Sequence, residues 1–179
     1  MSDELLVSGC LRGDARHQQT LYEKHKVEMF MLCLRYAKNR AEAEDFLQDG
    51  FMQVFRDLHQ FDKEKGSLQG WIRKVILNKV LQQLRKKKLQ FALADVSDYA
   101  NMLPSEDENI ISILSAKEIT QLIQNLPDGY KAIFNLYMVE GYSHQEIADT
   151  FGISVSTSKT QLHKARLSLQ QRVTALISD

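Results

Sequence analysis

The segment GWIRKVILNKVLQQLRKKK sets Arg73, Lys74, Lys79, Arg85, Lys86, Lys87 and Lys88 behind Trp71 without one acidic residue. Cations at that density neutralise phosphates and release condensed counterions, so the binding they support falls steeply with salt. An aromatic ring beside them can stack on an unpaired base. A second basic series lies in SHQEIADTFGISVSTSKTQLHKAR, where Lys159, His163, Lys164 and Arg166 alternate with the hydroxyls of Ser156, Thr157 and Thr160. Long cations and short hydroxyls on one helix can reach phosphates and major-groove base edges. A third series has the opposite sign. AEAEDFLQDGF gathers Glu42, Glu44, Asp45 and Asp49, with no Lys or Arg from Ala41 to Val54. DNA repels such a face, and a basic protein partner fits it.

Other chemistry has no visible seat. There is no Gly-rich phosphate loop, no H-x-x-x-H or C-x-x-C metal pair and no nucleophile elbow, and the five histidines are scattered. Neither an enzyme nor a cofactor is expected. Cys10 and Cys33 suit two reduced thiols. No window approaches the roughly 18 apolar residues of a membrane span, and the start lacks the layout of a secretory signal, so a cytoplasmic protein is expected.

The elements that position these series read as helices throughout. Two prolines and eight glycines in 179 residues are few for a turn-rich protein. Leu21, Val27, Phe30, Met31 and Leu34 give one helix its buried side. Leu47, Phe51, Val54, Phe55 and Leu58 give a second, at i, i+4, i+7, i+8 and i+11. A third, from Ser67 to about Lys87, buries Leu68, Trp71, Ile72, Val75, Ile76, Val80, Leu81 and Leu84. Further on, Ile119, Leu122, Ile123 and Leu126 form a helix stopped by Pro127, and another runs from about 128 to Gly141. Ser143 and Glu146 form a capping box, Gly152 closes the helix it starts, and Ser154 opens the last. On that last helix, at about 100° per residue, Val155, Leu162, Ala165 and Leu169 share one side with Ser158, while Ser156, Thr157, Thr160, His163 and Lys164 point away and Lys159 and Arg166 flank.

The zero net charge conceals segments. Residues 1–90 hold 17 Lys and Arg against 12 Asp and Glu, residues 91–109 hold five acids alone, and residues 110–179 hold six of each. The expected architecture is all-α, with a helical bundle (1–90) and a helix-turn-helix domain (110–179) joined by a flexible acidic linker (91–109).

In this order, these motifs resemble the bacterial extracytoplasmic-function (ECF) sigma factors over roughly residues 10–175. The resemblance implies a promoter-specificity subunit of RNA polymerase core, with one domain for the −10 element and one for the −35 element. It assigns Asp45, Gln48, Asp49 and Phe51 to docking on the clamp helices of the largest subunit, with the polymerase flap as a further contact. It places Asp62, Lys63 and Lys65 in the loop FDKEKGS, and Trp71, Arg73, Lys74, Asn78, Lys79 and Arg85 on the following helix, at the −10 element. There, a base extruded from the non-template strand is captured. It places Ser156, Thr157, Lys159, Thr160, Gln161, His163, Lys164 and Arg166 at the −35 element. An anti-sigma factor is an implied partner beside polymerase and promoter DNA.

Three residues depart from the family pattern. Ser158 stands where a Val usually packs, Gln161 where an Arg usually stands, and Gly50 lies inside a helix, where glycine costs about 1 kcal/mol relative to alanine. A self-sufficient regulator, whose helix-turn-helix binds an operator and whose bundle senses or dimerises, is the competing reading. The acidic face argues against it, because a repressor has no need of one.

Overall fold

A computed structural model describes residues 2–87 and 116–178. The linker 91–109 and Lys88 lie outside them. The chain clusters into two units that part between Lys87 and Lys88. Among the described residues the regular structure is helical, with no strand, and no helix is long and apolar enough to cross a membrane.

The first unit comprises α1 (Asp3–Leu11), α2 (Ala15–Tyr36), α3 (Arg40–Asp57) and α4 (Leu68–Lys86), with short 3-10 turns at Leu58–Gln60 and Lys63–Lys65. Asp14, Asn39 and Ser67 each accept backbone N–H groups at the starts of α2, α3 and α4, satisfying donors a helix cannot pair internally. Phe46, Leu47, Phe51 and Val54 of α3 and Ile72, Ile76, Val80 and Leu84 of α4 belong to the buried core. The two helices pack closely because Gly50 has no side chain: a Cβ there would lie 3.0 Å from Ile76 Cγ1 and 3.1 Å from its Cγ2. The glycine that looked costly in the sequence is what allows this contact.

Helix α2 is turned from the expected face. Its buried side is Leu21, His25, Met29, Leu32, Cys33 and Tyr36, while Val27 is 69 % and Met31 40 % exposed. The spacing set by Val27 and Met31 leaves out Met29, Leu32 and Tyr36, and a hydrophobicity pattern gives no weight to His25 and Cys33, which bury as well as many hydrophobes. Burial pushes the Cys33 thiol up to about 12, which suits an inert core residue.

The second unit comprises α5 (Ala116–Gln124), α6 (Asp128–Phe134), α7 (His144–Phe151) and α8 (Val155–Ser178). The helix expected to run from 128 to 140 widens into a π turn at Asn135–Val139. Asn135 is buried, and its Nδ2 donates to the Lys131 carbonyl at 2.9 Å. The ladder then shifts by one residue, Glu140 N–H reaching the Asn135 carbonyl at 3.0 Å. The turn leaves Tyr137, Met138 and Val139 exposed.

The capping box and the left-handed glycine lie where the sequence places them. Ser143 Oγ accepts the Glu146 N–H at 3.2 Å, and Glu146 Oε2 accepts the Ser143 N–H at 2.8 Å. Gly152, at φ 67° and ψ 38°, ends α7 and donates to the Ala148 carbonyl. Removing the serine side chain by Ser143→Ala is expected to cost about 1 kcal/mol. The Ser143 N–H and hydroxyl hold the Glu146 carboxyl below its ordinary value of 4.5. A lowered folded-state pKa means that the bonds to this carboxylate contribute fully above the ordinary value and fade as pH falls through the lowered one. Thermal melts of wild type and Ser143→Ala should therefore draw closer in acid without coinciding, because the bond from the Glu146 N–H to Ser143 Oγ does not titrate.

Candidate nucleic-acid and polymerase interfaces

The acidic face lies on the first half of α3, and the structure narrows it. Asp45, Gln48 and Asp49 are exposed. Asp45 has no hydrogen-bond or ion-pair partner among the described residues, whereas Asp49 accepts from Gln83 Nε2 on α4. Glu44 is held by Arg40 at 2.8 Å. Glu42 is no open docking residue: it is half-buried, accepts the Lys38 N–H at 2.6 Å and is paired with Lys87. Burial opposes its ionisation, yet the Lys87 ammonium and the Lys38 amide together hold its carboxyl below the usual range. Lys87, also 5.4 Å from the Phe46 ring centroid, serves the fold here rather than a free basic face. Phe51 corrects the docking set. It is only 3 % exposed and meets Tyr22 edge-on at 4.8 Å, so it supports the face from beneath. The same residue was already required by the core-facing spacing of α3.

An open cleft of about 530 Å³ gathers five of the residues assigned to the −10 element: Trp71, Lys74, Asn78, Lys79 and Arg85. Residues 71, 74, 78, 82 and 85 recur at helical spacing, which aligns them along one side of α4. Trp71 is half-buried with its ring edge-on to Phe61 at 5.9 Å, so one ring serves both the core margin and the cleft wall. The cleft also has polar residues that the sequence reading missed. Gln53, Asp57, Gln60 and Gln82 line it, and Gln53 Nε2 donates to Asp57 at 2.6 Å. Gln53, Asp57 and Gln60 form a polar series at i, i+4 and i+7 beside the buried stripe of α3, and Gln82 belongs to α4.

Asp62, Lys63, Lys65 and Arg73 are not among the residues lining the cleft. Asp62 caps the Lys63–Lys65 turn by accepting the Glu64 N–H at 3.0 Å and lies 3.4 Å from the Lys65 ammonium. Lys63 pairs with Glu4 of α1 at 2.7 Å. These loop cations are exposed, but a phosphate must compete with carboxylates for them.

In the second unit, α7 and α8 are joined by Gly152, Ile153 and Ser154. Ser154 Oγ accepts the Thr157 N–H at 2.9 Å, giving a short helix, a tight turn and a long helix, the layout of a helix-turn-helix. The outward side of α8 is narrower than its helical wheel suggests. Ser156, Lys159 and Arg166 are exposed, while Thr157, Thr160, His163 and Lys164 are half-buried. Gln161 requires a correction. It is 1 % exposed and belongs to the buried stripe Ser158, Gln161, Leu162 and Ala165, at i, i+3, i+4 and i+7, and so does not present a base contact. The wheel already set Ser158 on this side with Leu162 and Ala165; the burial of Gln161 is what it did not show.

Ser158 has a partner. Its Oγ lies 2.9 Å from Nδ1 of His144, whose ring stacks on Tyr137 at 4.4 Å. Burial, then the cations Lys159 and Arg166, keep the His144 pKa below the ordinary value, which favours the neutral imidazole.

Comparison with known proteins matches residues 21–90 to Sigma-70 region 2 and residues 116–169 to Sigma-70, region 4. The first match contains α3, α4 and the cleft, and the second the helix-turn-helix. The chain belongs to the ECF sigma factors. It is 27 % identical over 154 residues to the ECF RNA polymerase sigma factor SigE of Mycolicibacterium smegmatis, covering 84 % of this chain and 59 % of that protein. It is 26 % identical over 172 residues to SigW of Bacillus subtilis, covering 90 % and 91 %. A solved structure of the sigma factor RpoE with the anti-sigma factor NepR from Bartonella quintana is 18 % identical, covers 86 % of this chain and 94 % of that one, and gives a TM-score of 0.49. Sigma factors direct transcription initiation with RNA polymerase and are not catalysts themselves.

Proposed function

We propose that this sigma factor docks on polymerase core through Asp45, Gln48 and Asp49 and meets the opened −10 element in the Trp71 cleft. Ser156, Lys159 and Arg166 of α8 read the −35 element, with residues 91–109 as the tether between the two readers. The observation that carries the reading is the helix pair α3 and α4. Its first part offers an unpartnered carboxylate at Asp45, and the other end of α3 faces a cleft rimmed by Lys74, Lys79 and Arg85. A protein site and a nucleic-acid site on one rigid pair fit a subunit that hands a strand to a larger enzyme.

The cleft suits a base already leaving the stack. Trp71 offers an aromatic surface, Asn78, Gln53 and Asp57 offer hydrogen bonds to a base edge, and the cations hold the flanking phosphates. Unstacking costs only a few kcal/mol where the duplex is opening. An anti-sigma factor, implied by the family resemblance, is the expected inhibitor, and the cytoplasm the expected compartment.

Run-off transcription with purified core tests the whole reading. Specific initiation from a candidate promoter is expected. Tight binding to duplex DNA by the free chain, with no initiation from any promoter, would instead favour the self-sufficient regulator. For the cleft, Lys74→Ala is expected to reduce the salt slope of single-strand binding by about 0.7, one phosphate contact's share. Titrations of the −10 non-template strand at several salt concentrations measure it.

A further inference from the structure

The buried stripe of α8 contains a polar anchor that apolar packing does not require. Ser158 is fully buried, and its hydroxyl is 2.9 Å from Nδ1 of His144, the first residue of α7. The other side of the story is the π turn, where Tyr137 stacks on the same imidazole with an interplanar angle of 23°. Farther along α8, Arg166 donates to the Met138 sulfur at 3.0 Å. One imidazole thus joins the π turn, the start of the first helix and the buried side of the second.

Ile147 and Ala148 of α7 and Leu162 and Ala165 of α8 are buried in this unit, but apolar contact is non-directional and tolerates small rolls of one helix on another. A hydrogen bond does not, because it weakens steeply with angle and distance. A roll of about 20° moves a side-chain tip about 5–6 Å from the helix axis by about 2 Å, enough to break a contact with a base edge.

We propose that His144 is a positioning residue of the −35 reader: its hydrogen bond to Ser158 fixes the roll of α8 on α7, and so sets where Ser156, Lys159 and Arg166 meet the DNA. The proposal rests on the reading of α8 as the DNA-contacting helix. Neither His144 nor Ser158 needs to touch DNA. The serine that departs from the family pattern and the histidine 14 residues before it form one functional pair.

The experiment uses holoenzyme reconstituted from core and the full chain, with promoter pools randomised separately at the −35 and −10 elements. His144→Phe keeps a ring to stack on Tyr137 but removes Nδ1, Ser158→Ala removes the hydroxyl, and His144→Asn returns a hydrogen-bonding atom near Nδ1. Each of the first two is expected to lower binding to the selected −35 sequence about tenfold and broaden −35 selection, with −10 selection unchanged. The double variant should be no worse than either single one, as befits a shared interaction. His144→Asn should recover most of the selectivity. Wild-type −35 selection in both single variants, losses that multiply in the double, or equal broadening at the −10 element would each overturn the proposal. A wild-type holoenzyme with no −35 preference would overturn the reading of α8 itself, before any variant is made.

Discussion

Asp45→Arg is expected to abolish binding to polymerase core while leaving the helical content and melting temperature of the free chain unchanged. Asp45 is exposed and has no partner among the described residues, so its removal breaks no internal contact. Surface substitutions of that kind usually stay within about 0.5 kcal/mol. At a docked interface the same change sets a guanidinium against the basic surface that an acidic face selects, and such like-charge contacts cost several kcal/mol. A loss of about two to three orders of magnitude in affinity follows. Asp45→Asn should fall between, because it removes attraction without adding repulsion. Titration of labelled core measures the first effect and circular dichroism the second. Unchanged core affinity, or global unfolding of the arginine variant, would refute the assignment.

The same substitution at Glu42 would have a different meaning. Glu42 is held by the Lys38 amide and the Lys87 ammonium at the start of α3, so a charge reversal there breaks the junction with α4 as well as altering the surface. Four acids within one short segment look equivalent in the sequence, but only their partners separate docking groups from structural ones. A repulsion assay that compared Asp45 and Glu42 without a folding control would confuse the two.

What the sequence revealed follows from how local each signal is. The Ser143 capping box, the Gly152 turn and the Ser154 cap depend on residues within four positions of each other, and all three were readable. The buried side of α2 was not, because His25 and Cys33 carry part of it and Val27 and Met31 imitate it. The stripe of α8 was legible up to one residue: Ser158 falls with Val155, Leu162 and Ala165 on the wheel, whereas Gln161 looks like a surface residue until the neighbouring helices are in place. The cleft was half legible. Its α4 side announced itself by charge, whereas Gln53, Asp57 and Gln60 acquire meaning only when α3 and α4 are brought together.

That approach makes Gly50→Leu the second large effect. An added Cβ at Gly50 would meet Ile76 Cγ1, Cγ2 and Cβ at 3.0, 3.1 and 3.3 Å, and Ile76 is fully buried. Alanine there sets this crowding against a gain of about 1 kcal/mol in helix propensity, so its net effect is small. Leucine adds three more carbons and gains little further propensity. Overpacking of this kind costs about 1–3 kcal/mol, and in a unit of this size each kcal/mol lowers the melting temperature by roughly 4–8 °C. The same strain pushes α4 from α3, moving Gln82 and Arg85 relative to Gln53 and Asp57 across the cleft. Gly50→Leu should therefore lose −10 strand binding at temperatures where it is still folded. Gly50→Leu with Ile76→Ala, which returns volume at the point of contact, should recover part of both. A single variant that melts and binds like wild type would mean that α3 and α4 do not need this close approach. A double variant that recovers stability without binding would separate the cleft from the helix spacing that is held to build it.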